Sequence, residues 1–410
     1  MGHVGESSRR GIASTARALL LLGAALSLIA CNPLSGPGVP GARDTKLAAP
    51  LGAVEVGPLT DGSEQIGTGA TRIALIVPLS QASGPSQVGA SLRNAAKLAY
   101  AESGANDVTI LVKDDHSTPA GAAQATQAAL NEGAEIVIGP VFSGSVREAA
   151  RVARDAGKPV IAFSTDASVG GHGVYLLSFQ VESYVQRVVG YAAERGKKSV
   201  AVLAPEGDYG NVALAQFQQS AAEHDLRVLT IERYKPGALQ PSVQRIAAAS
   251  EQIDALFIPE QAEAMTAVSR ELMAANIDTK RIQILGTGLW NDARVLKLPA
   301  LQGAWFVAPE NAGFNALAQR YRAKFNADPA RIATLAYDAV SLAIALSRSQ
   351  GSQRYSENVL TNPSGFNGAD GVFRFKADGS NDRGLSVLEI SGGAAKVLAP
   401  APRSFTGNGA

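Results

Sequence analysis

The sequence predicts an α/β protein of two lobes, each a doubly wound, mostly parallel sheet with helices on both faces, hinged by several crossings. Three observations lead there. Short apolar runs rich in Val and Ile alternate with alanine-rich helical patterns over short joins, the pattern of βαβ units. The alternation breaks near residue 180 and then restarts with the same build. The chain's 410 residues are also more than one hydrophobic core usually fills.

In the first lobe, 72–79 (RIALIVPL) reads as a strand ending in a Pro-Leu-Ser-Gln turn. A helix over 87–102 follows, with Val88, Leu92, Ala95, Ala96, Leu98 and Ala99 at helical spacing. The strand 108–113 stops at Asp114-Asp115, and Pro119 opens a helix reaching 131. The clearest unit is 135–166. Ile136, Val137 and Ile138 stop at Gly139-Pro140, and the small residues Ser143, Gly144 and Ser145 lead into a helical pattern. A second apolar run at 159–163 closes the unit. Ser145 and Glu148 have capping-box spacing, while Gly157 and Pro159 stand where a C-cap and a stop belong. Strands joined by such a crossover are parallel and adjacent, and ligands of open α/β sheets bind beyond the carboxyl ends of the strands. Residues 143–145 and 164–166 therefore share an edge that forms one wall of a small-molecule cleft.

Residues 176–183 read as the crossing into the second lobe, followed by a helix over 183–195. Strands at 199–204, 227–233, 255–258 and 283–285 alternate with helices at 211–224, 242–250 and 262–275. A strand at 304–308 precedes helices at 315–325 and 332–348, and 372–375 and 385–390 are the last strand candidates. The resulting division is a first lobe of 71–180, a second of 181–308, a segment 309–395 returning to complete the first, and a tail from 396.

The front of the chain reads as an address. Arg9, Arg10 and Arg17 precede an apolar run over 18–30 that is shorter than the roughly 20 residues a spanning helix needs, so 1–30 has the layout of a secretory signal. Residues 31–70 are rich in Pro, Gly and Ala and form a flexible tether. A net charge of +1 gives no footprint for nucleic acid. One cysteine, Cys31, excludes an intramolecular disulfide and a thiolate cluster, and the four histidines show no metal-ligand spacing, so no metal or other cofactor is expected. The stretch from Gly139 to Ser145 reads G-x-x-x-x-G-S but lacks the lysine a phosphate-cradling loop needs. There is no G-x-S-x-G or H-E-x-x-H motif, and the residues point away from an enzyme. Asp114, Asp115 and His116 read as a solvated polar loop rather than acid–base machinery.

Leu28-Ile29-Ala30-Cys31 resembles the lipobox of bacterial lipoproteins. The resemblance implies cleavage before Cys31, lipid attachment there, and anchoring on the periplasmic side of a membrane, the outer membrane being favoured because Asn32 is not the aspartate of inner-membrane retention. Val77-Pro78-Leu79-Ser80, IVIGPVFSGSV, GKPVIAFSTD, Asp208-Tyr209-Gly210 and Ala336-Tyr337-Asp338-Ala339 resemble the type I periplasmic binding fold, and within it the leucine/isoleucine/valine-binding proteins of ABC importers. The match runs over about 72–390.

That family implies a site. Ser143 matches the serine that holds a ligand α-carboxylate, and the start of its helix suits an anion on physical grounds too. Ser164 and Asp166 fall where a carbonyl and a hydroxyl meet the ligand's ammonium, although the family has threonine where Asp166 stands. Asp166 either pairs with a cation or caps its own loop. Tyr209 matches an aromatic lid and Gln261 a common tyrosine, Val88 lines the entrance, and Ser80 is a further ligand-binding candidate. Trp290 packs on a ligand or is buried between elements. Gly288 stands where amino-acid binders carry the acid that grips the ammonium, so such specificity needs Asp166 or Glu260 to supply the charge. Two roles follow. One is a solute-binding lipoprotein delivering an amino acid or related carboxylate to an ABC permease. The other, from a resemblance to penicillin-binding-protein activators, is a lipoprotein that contacts a peptidoglycan synthase and has a degenerate cleft.

Overall fold

The structure, a computed structural model, describes residues 64–405. The signal, Cys31 and most of the tether expected from the sequence lie outside the described residues.

The first sheet has the order β1-β5-β2-β6-β7-β8. The chain enters through β1 (Glu64–Ile66) and β2 (Thr71–Val77), makes a small hairpin of β3 (Ser80–Gln81) and β4 (Gly84–Pro85), and continues into α1 (Gln87–Ser103). It then runs through β5 (Val108–Asp114), α2 (Pro119–Asn131), β6 (Ile136–Ile138), α3 (Ser143–Asp155), β7 (Val160–Ala162) and β8 (Val174–Leu176). Every pairing is parallel except that of β1 with β5. The strands are buried on both faces, which is why they read as continuous apolar runs.

The second sheet is built from α4 (Val181–Glu194), β9 (Ser199–Pro205), α5 (Asp208–Glu223), β10 (Arg227–Tyr234), α6 (Gln240–Ala248), β11 (Ala255–Phe257), α7 (Met265–Ala274), β12 (Gln283–Gly286), α8 (Ala293–Leu296) and β13 (Trp305–Ala308). After α9 (Asn311–Phe325), α10 (Ala333–Ser349) and α11 (Glu357–Leu360) come β14 (Phe366–Gly368), β15 (Gly371–Phe375) and β16 (Asn381–Arg383), an antiparallel trio. The chain ends in β17 (Ser386–Ser391) and β18 (Ala394–Ala399).

The return of 309–395 to the first lobe holds only in part. α10, Phe373 and Phe375 pack into the first-lobe core. β17, however, pairs antiparallel with β13 and β18 with β17, so the second sheet is β10-β9-β11-β12-β13-β17-β18. Residues 394–399, of which 396–399 were expected in the tail, are thus an edge strand. Leu388 and Ile390 are buried in the second-lobe core, which fixes that placement.

The crossings reveal how the lobes face. The first leaves the carboxyl end of β8 and enters α4, which returns to the start of β9 and so begins at the carboxyl edge of the second sheet. The second leaves the carboxyl end of β13. The third enters β17 at Ser386, opposite Ala308 at that same end. All three meet the second sheet at its carboxyl edge. They are stitched together: Asn381 Nδ2 donates to the carbonyls of Leu176 (2.5 Å) and Ser178 (3.1 Å). The Phe179 ring lies under two guanidinium groups, Arg331 at 4.8 Å and Arg383 at 4.6 Å. Arg331 grips the buried Asp370 through two bonds of 2.7 and 2.9 Å.

Candidate functional site at the carboxyl edges

On the first lobe the edge is shaped by the turn after β6. Gly139 has φ +87°, and a Cβ there would sit 2.0 Å from the Ile76 carbonyl oxygen, so only glycine lets the chain pass β2. Its N–H donates to the Ile161 carbonyl (2.7 Å), and Phe163 N–H donates to the Pro140 carbonyl (2.8 Å). These bonds tie the turn after β6 to the turn after β7. α3 starts at Ser143, with Phe142 as an N-cap that makes no side-chain bond. The first amides of α3 therefore have neither an intrahelical acceptor nor a side-chain cap. The cap expected of Ser145 does not form: that residue lies inside the first turn, buried, its hydroxyl without a hydrogen-bond partner. At the other end the expected stop is present. Gly157 is left-handed (φ +63°), and Lys158 N–H bonds to the Ala153 carbonyl (2.9 Å).

Asp166 caps its own loop and also pairs with a cation of its own lobe. Its Oδ1 accepts from the Ser168 amide (3.0 Å) and hydroxyl (2.6 Å), and Arg147 sits 3.2 Å from Oδ2. The Ser168 hydroxyl, with the Ser168 amide, Arg147 and the Ser143 hydroxyl, holds this carboxyl below its ordinary range despite some burial. Ser143 and Asp166 are thus neighbours at one edge. Ser164 is buried and its hydroxyl accepts from the Asp166 amide (3.2 Å). Ser80 is engaged as well, donating to Asp114 Oδ2 (2.5 Å). Asp114 also accepts from the amides of Leu79 (2.9 Å) and His116 (2.8 Å), and Asp115 is fully buried. The loop expected to be solvated is partly internal: Asp114 clamps the Leu79 and His116 amides, and the buried Asp115 accepts from the Ser117 amide through Oδ1 while its Oδ2 has no partner. Val88, in the first turn of α1, packs against the first-lobe core.

On the second lobe, α5 begins at Asp208, so Tyr209 stands in its first turn rather than in a preceding loop. Gly210 is required because a Cβ would meet the Pro205 carbonyl at 2.0 Å. The Tyr209 hydroxyl shares a 2.6 Å hydrogen bond with Thr287, and burial raises its pKa. Tyr209, Glu260 and Gln261 line one cavity of about 560 Å³ at the carboxyl ends of β9, β10 and β11, formed by second-lobe residues alone. Glu260 is the residue sequence reasoning undervalued. Its side chain accepts from the Tyr234 hydroxyl, 26 positions away, and from the Gln261 amide (2.6 Å).

Packing bears on two further positions. Trp290 is fully buried and donates to the Glu260 carbonyl (3.2 Å). At Gly288 a Cβ would lie 2.4 Å from the Tyr184 ring. The space an acidic side chain needs is already filled by α4.

Among the described residues no helix is long and apolar enough to cross a membrane, and no group of His, Cys, Asp and Glu is arranged to hold a metal ion. No curated protein sequence matches the chain. Solved structures do. A candidate branched-chain amino acid ABC transporter protein from Rhodospirillum rubrum aligns with TM-score 0.71 at 18% identity, covering 80% of this chain and 100% of that one. A leucine-binding protein from Thermotoga maritima gives 0.57 at 22%, covering 81% and 99%. A solute-binding protein from R. palustris in complex with benzoate gives 0.57 at 20%, covering 82% and 97%. At these identities the likeness establishes the fold, of the two-lobed type I kind. The family model for periplasmic binding proteins matches residues 70–395, nearly the whole folded part, and the chain belongs to that family of binding proteins rather than enzymes.

Proposed function

We propose that the protein is a periplasm-facing solute-binding lipoprotein, tethered through Cys31, which captures a small polar ligand between its lobes for an ABC importer. The observation that supports this most is the convergence of two incomplete half-sites on facing carboxyl edges. The first lobe offers the uncapped start of α3 with the Ser143 hydroxyl, suited to a carboxylate. The second offers an aromatic-walled cavity with Tyr209. The ligands named for the neighbours, leucine and benzoate, both bear a carboxylate, which agrees with the first half-site.

A thermal-shift screen with amino acids, amides and small carboxylates, benzoate included, tests the reading. At least one compound is expected to raise the melting temperature, and Ser143→Ala to weaken its binding about tenfold, the loss of one charge-assisted hydrogen bond. No shift with any compound, together with co-purification of a peptidoglycan synthase, contradicts it. Loss of the protein from the membrane fraction in Cys31→Ser is expected of the anchor, and an unchanged fraction contradicts that part.

A further inference from the structure

Where the three crossings meet, a guanidinium is buried without a hydrogen bond. Arg383 ends β16, its side chain is 1% exposed, and its Nε, Nη1 and Nη2 reach no acceptor. Two rings hold it instead, Phe179 at 4.6 Å and Phe373 at 5.7 Å. Among the described residues its only ion-pair partner is Asp338 of α10, equally buried, whose Oδ2 lies 3.7 Å from Nη2 and has no hydrogen bond either. Arg331 beside it is different, fixed to Asp370 by two bonds. Most of the buried side-chain atoms without a partner among the described residues belong to Arg383, Asp338 or the crossings, at Ser178, Gln180 and Asn381.

A buried charge left unbonded is costly, and this separation is about 1 Å longer than a charge-assisted hydrogen bond. The place of Arg383 in the chain says what closes the gap. β16 pairs with β15, whose Phe373 and Phe375 lie in the first-lobe core, whereas Leu385 and β17 belong to the second lobe. Only Gly384 and Leu385 join the two strands, so Arg383 is the last first-lobe residue before the pivot. Asp338 is fixed in the first lobe, its Oδ1 accepting from the Ala369 amide (2.6 Å). Rotation of the second lobe about Gly384 slides the guanidinium along ring faces, which hold it far less rigidly than a bidentate bond. The angle in this structure is an open one, with Phe142, Val212 and Leu289 exposed on the facing edges. We propose that Arg383 is a positioning residue for closure, its guanidinium bonding Asp338 directly at the closed angle and releasing it at the open one. The inference rests on the hinged solute-binding reading and adds the pair that sets the resting angle. Closure gains this bond with no ligand present, so a share of ligand-free molecules is closed.

The test is the distance distribution between spin labels at Phe142→Cys and Leu289→Cys in the ligand-free Cys31→Ser chain. A shorter component beside the open one is expected. Arg383→Met, which keeps the packing on Phe179, and Asp338→Asn, which can still accept from Ala369, should each shrink that component at least fivefold, the loss of one charge-assisted hydrogen bond. The double variant should shrink it no further than either single one. It removes both buried charges and is expected to melt no lower than wild type. A distribution that the variants leave unchanged overturns the inference. So do effects that add in the double variant, or a double variant that melts lower at unaltered distances. Solute binding is read separately, on the same labels with leucine and benzoate. A shortening by either compound in Arg383→Met, with no change between the ligand-free chains, overturns the pair and leaves solute binding standing. Loss of the shorter component in both variants, with neither compound acting on any chain, supports the pair and counts against the solute-binding reading alone.

Discussion

Burial leaves two acids on the first lobe with raised pKa values. Asp115 is pushed up to about 6 by burial, opposed by the Ser117 amide and reinforced by Asp114. Asp338 is pushed up to about 7 by burial, against the pull of Arg383, whose Nη2 lies 3.7 Å away. In the unfolded chain both titrate near 4. Below pH 4 both states are protonated and neither group opposes folding. Between pH 4 and about 6 to 7 the unfolded chain releases protons that the native state keeps, so stability falls as pH rises. Asp115 alone accounts for up to about 3 kcal/mol. The melting temperature is expected to rise from pH 7.5 to pH 5, and Asp115→Asn, whose Oδ1 can still accept from Ser117, to flatten that rise. An unaltered slope in a pH series of melting curves contradicts the assignment. At this scale the sequence was legible where one residue carried its own signal. The glycines at 139 and 157 show it, as does Ser143 after a β-branched run. It was not legible where a role depends on a distant partner. Glu260 is defined by Tyr234 from another strand, and Gly288 by the ring of Tyr184.

The elements read from the sequence have the right type and order and differ mainly at their ends, but the short pieces β1, β3, β4, β8, α8, α11, β14, β16 and β18 were not read. α3 and α5 start earlier than expected because small and polar residues, Ser143-Gly144-Ser145 and Asp208-Tyr209-Gly210, suit a first turn as well as a loop. The register of the last strands was hidden for a different reason. An alternating apolar run says which face is buried, but not which sheet it joins. Phe373 and Phe375 went to one lobe and Leu388 and Ile390 to the other. The turn after β6 gives the prediction proper to this scale. Gly139→Ala must place a methyl 2.0 Å from the Ile76 carbonyl at a left-handed φ. A loss of about 2–3 kcal/mol in urea unfolding is expected, along with weaker ligand binding because Ser143 moves with the turn. A variant as stable as wild type contradicts the role given to this glycine.

For the whole molecule, the repeated βα rhythm was enough to predict two lobes, since each lobe restates the same local grammar. The facing of their carboxyl edges was not contained in any local pattern. It follows from three crossings that meet the second sheet at one end and from the contacts of Phe179 with Arg331 and Arg383. Apolar residues stand exposed on both edges: Phe142 before α3 (48%), Val212 on α5 (40%) and Leu289 beyond β12 (38%). Closure over a ligand removes such surface from water at about 25 cal/mol per Å². The most direct measurement is the distance between spin labels at Phe142→Cys and Leu289→Cys in a Cys31→Ser background, with and without leucine, benzoate or isopentylamine. A hinged binding protein predicts a shorter, narrower distance distribution with at least one of them. A distribution that none of the three changes, at concentrations that saturate binding, contradicts closure of the two lobes over a solute.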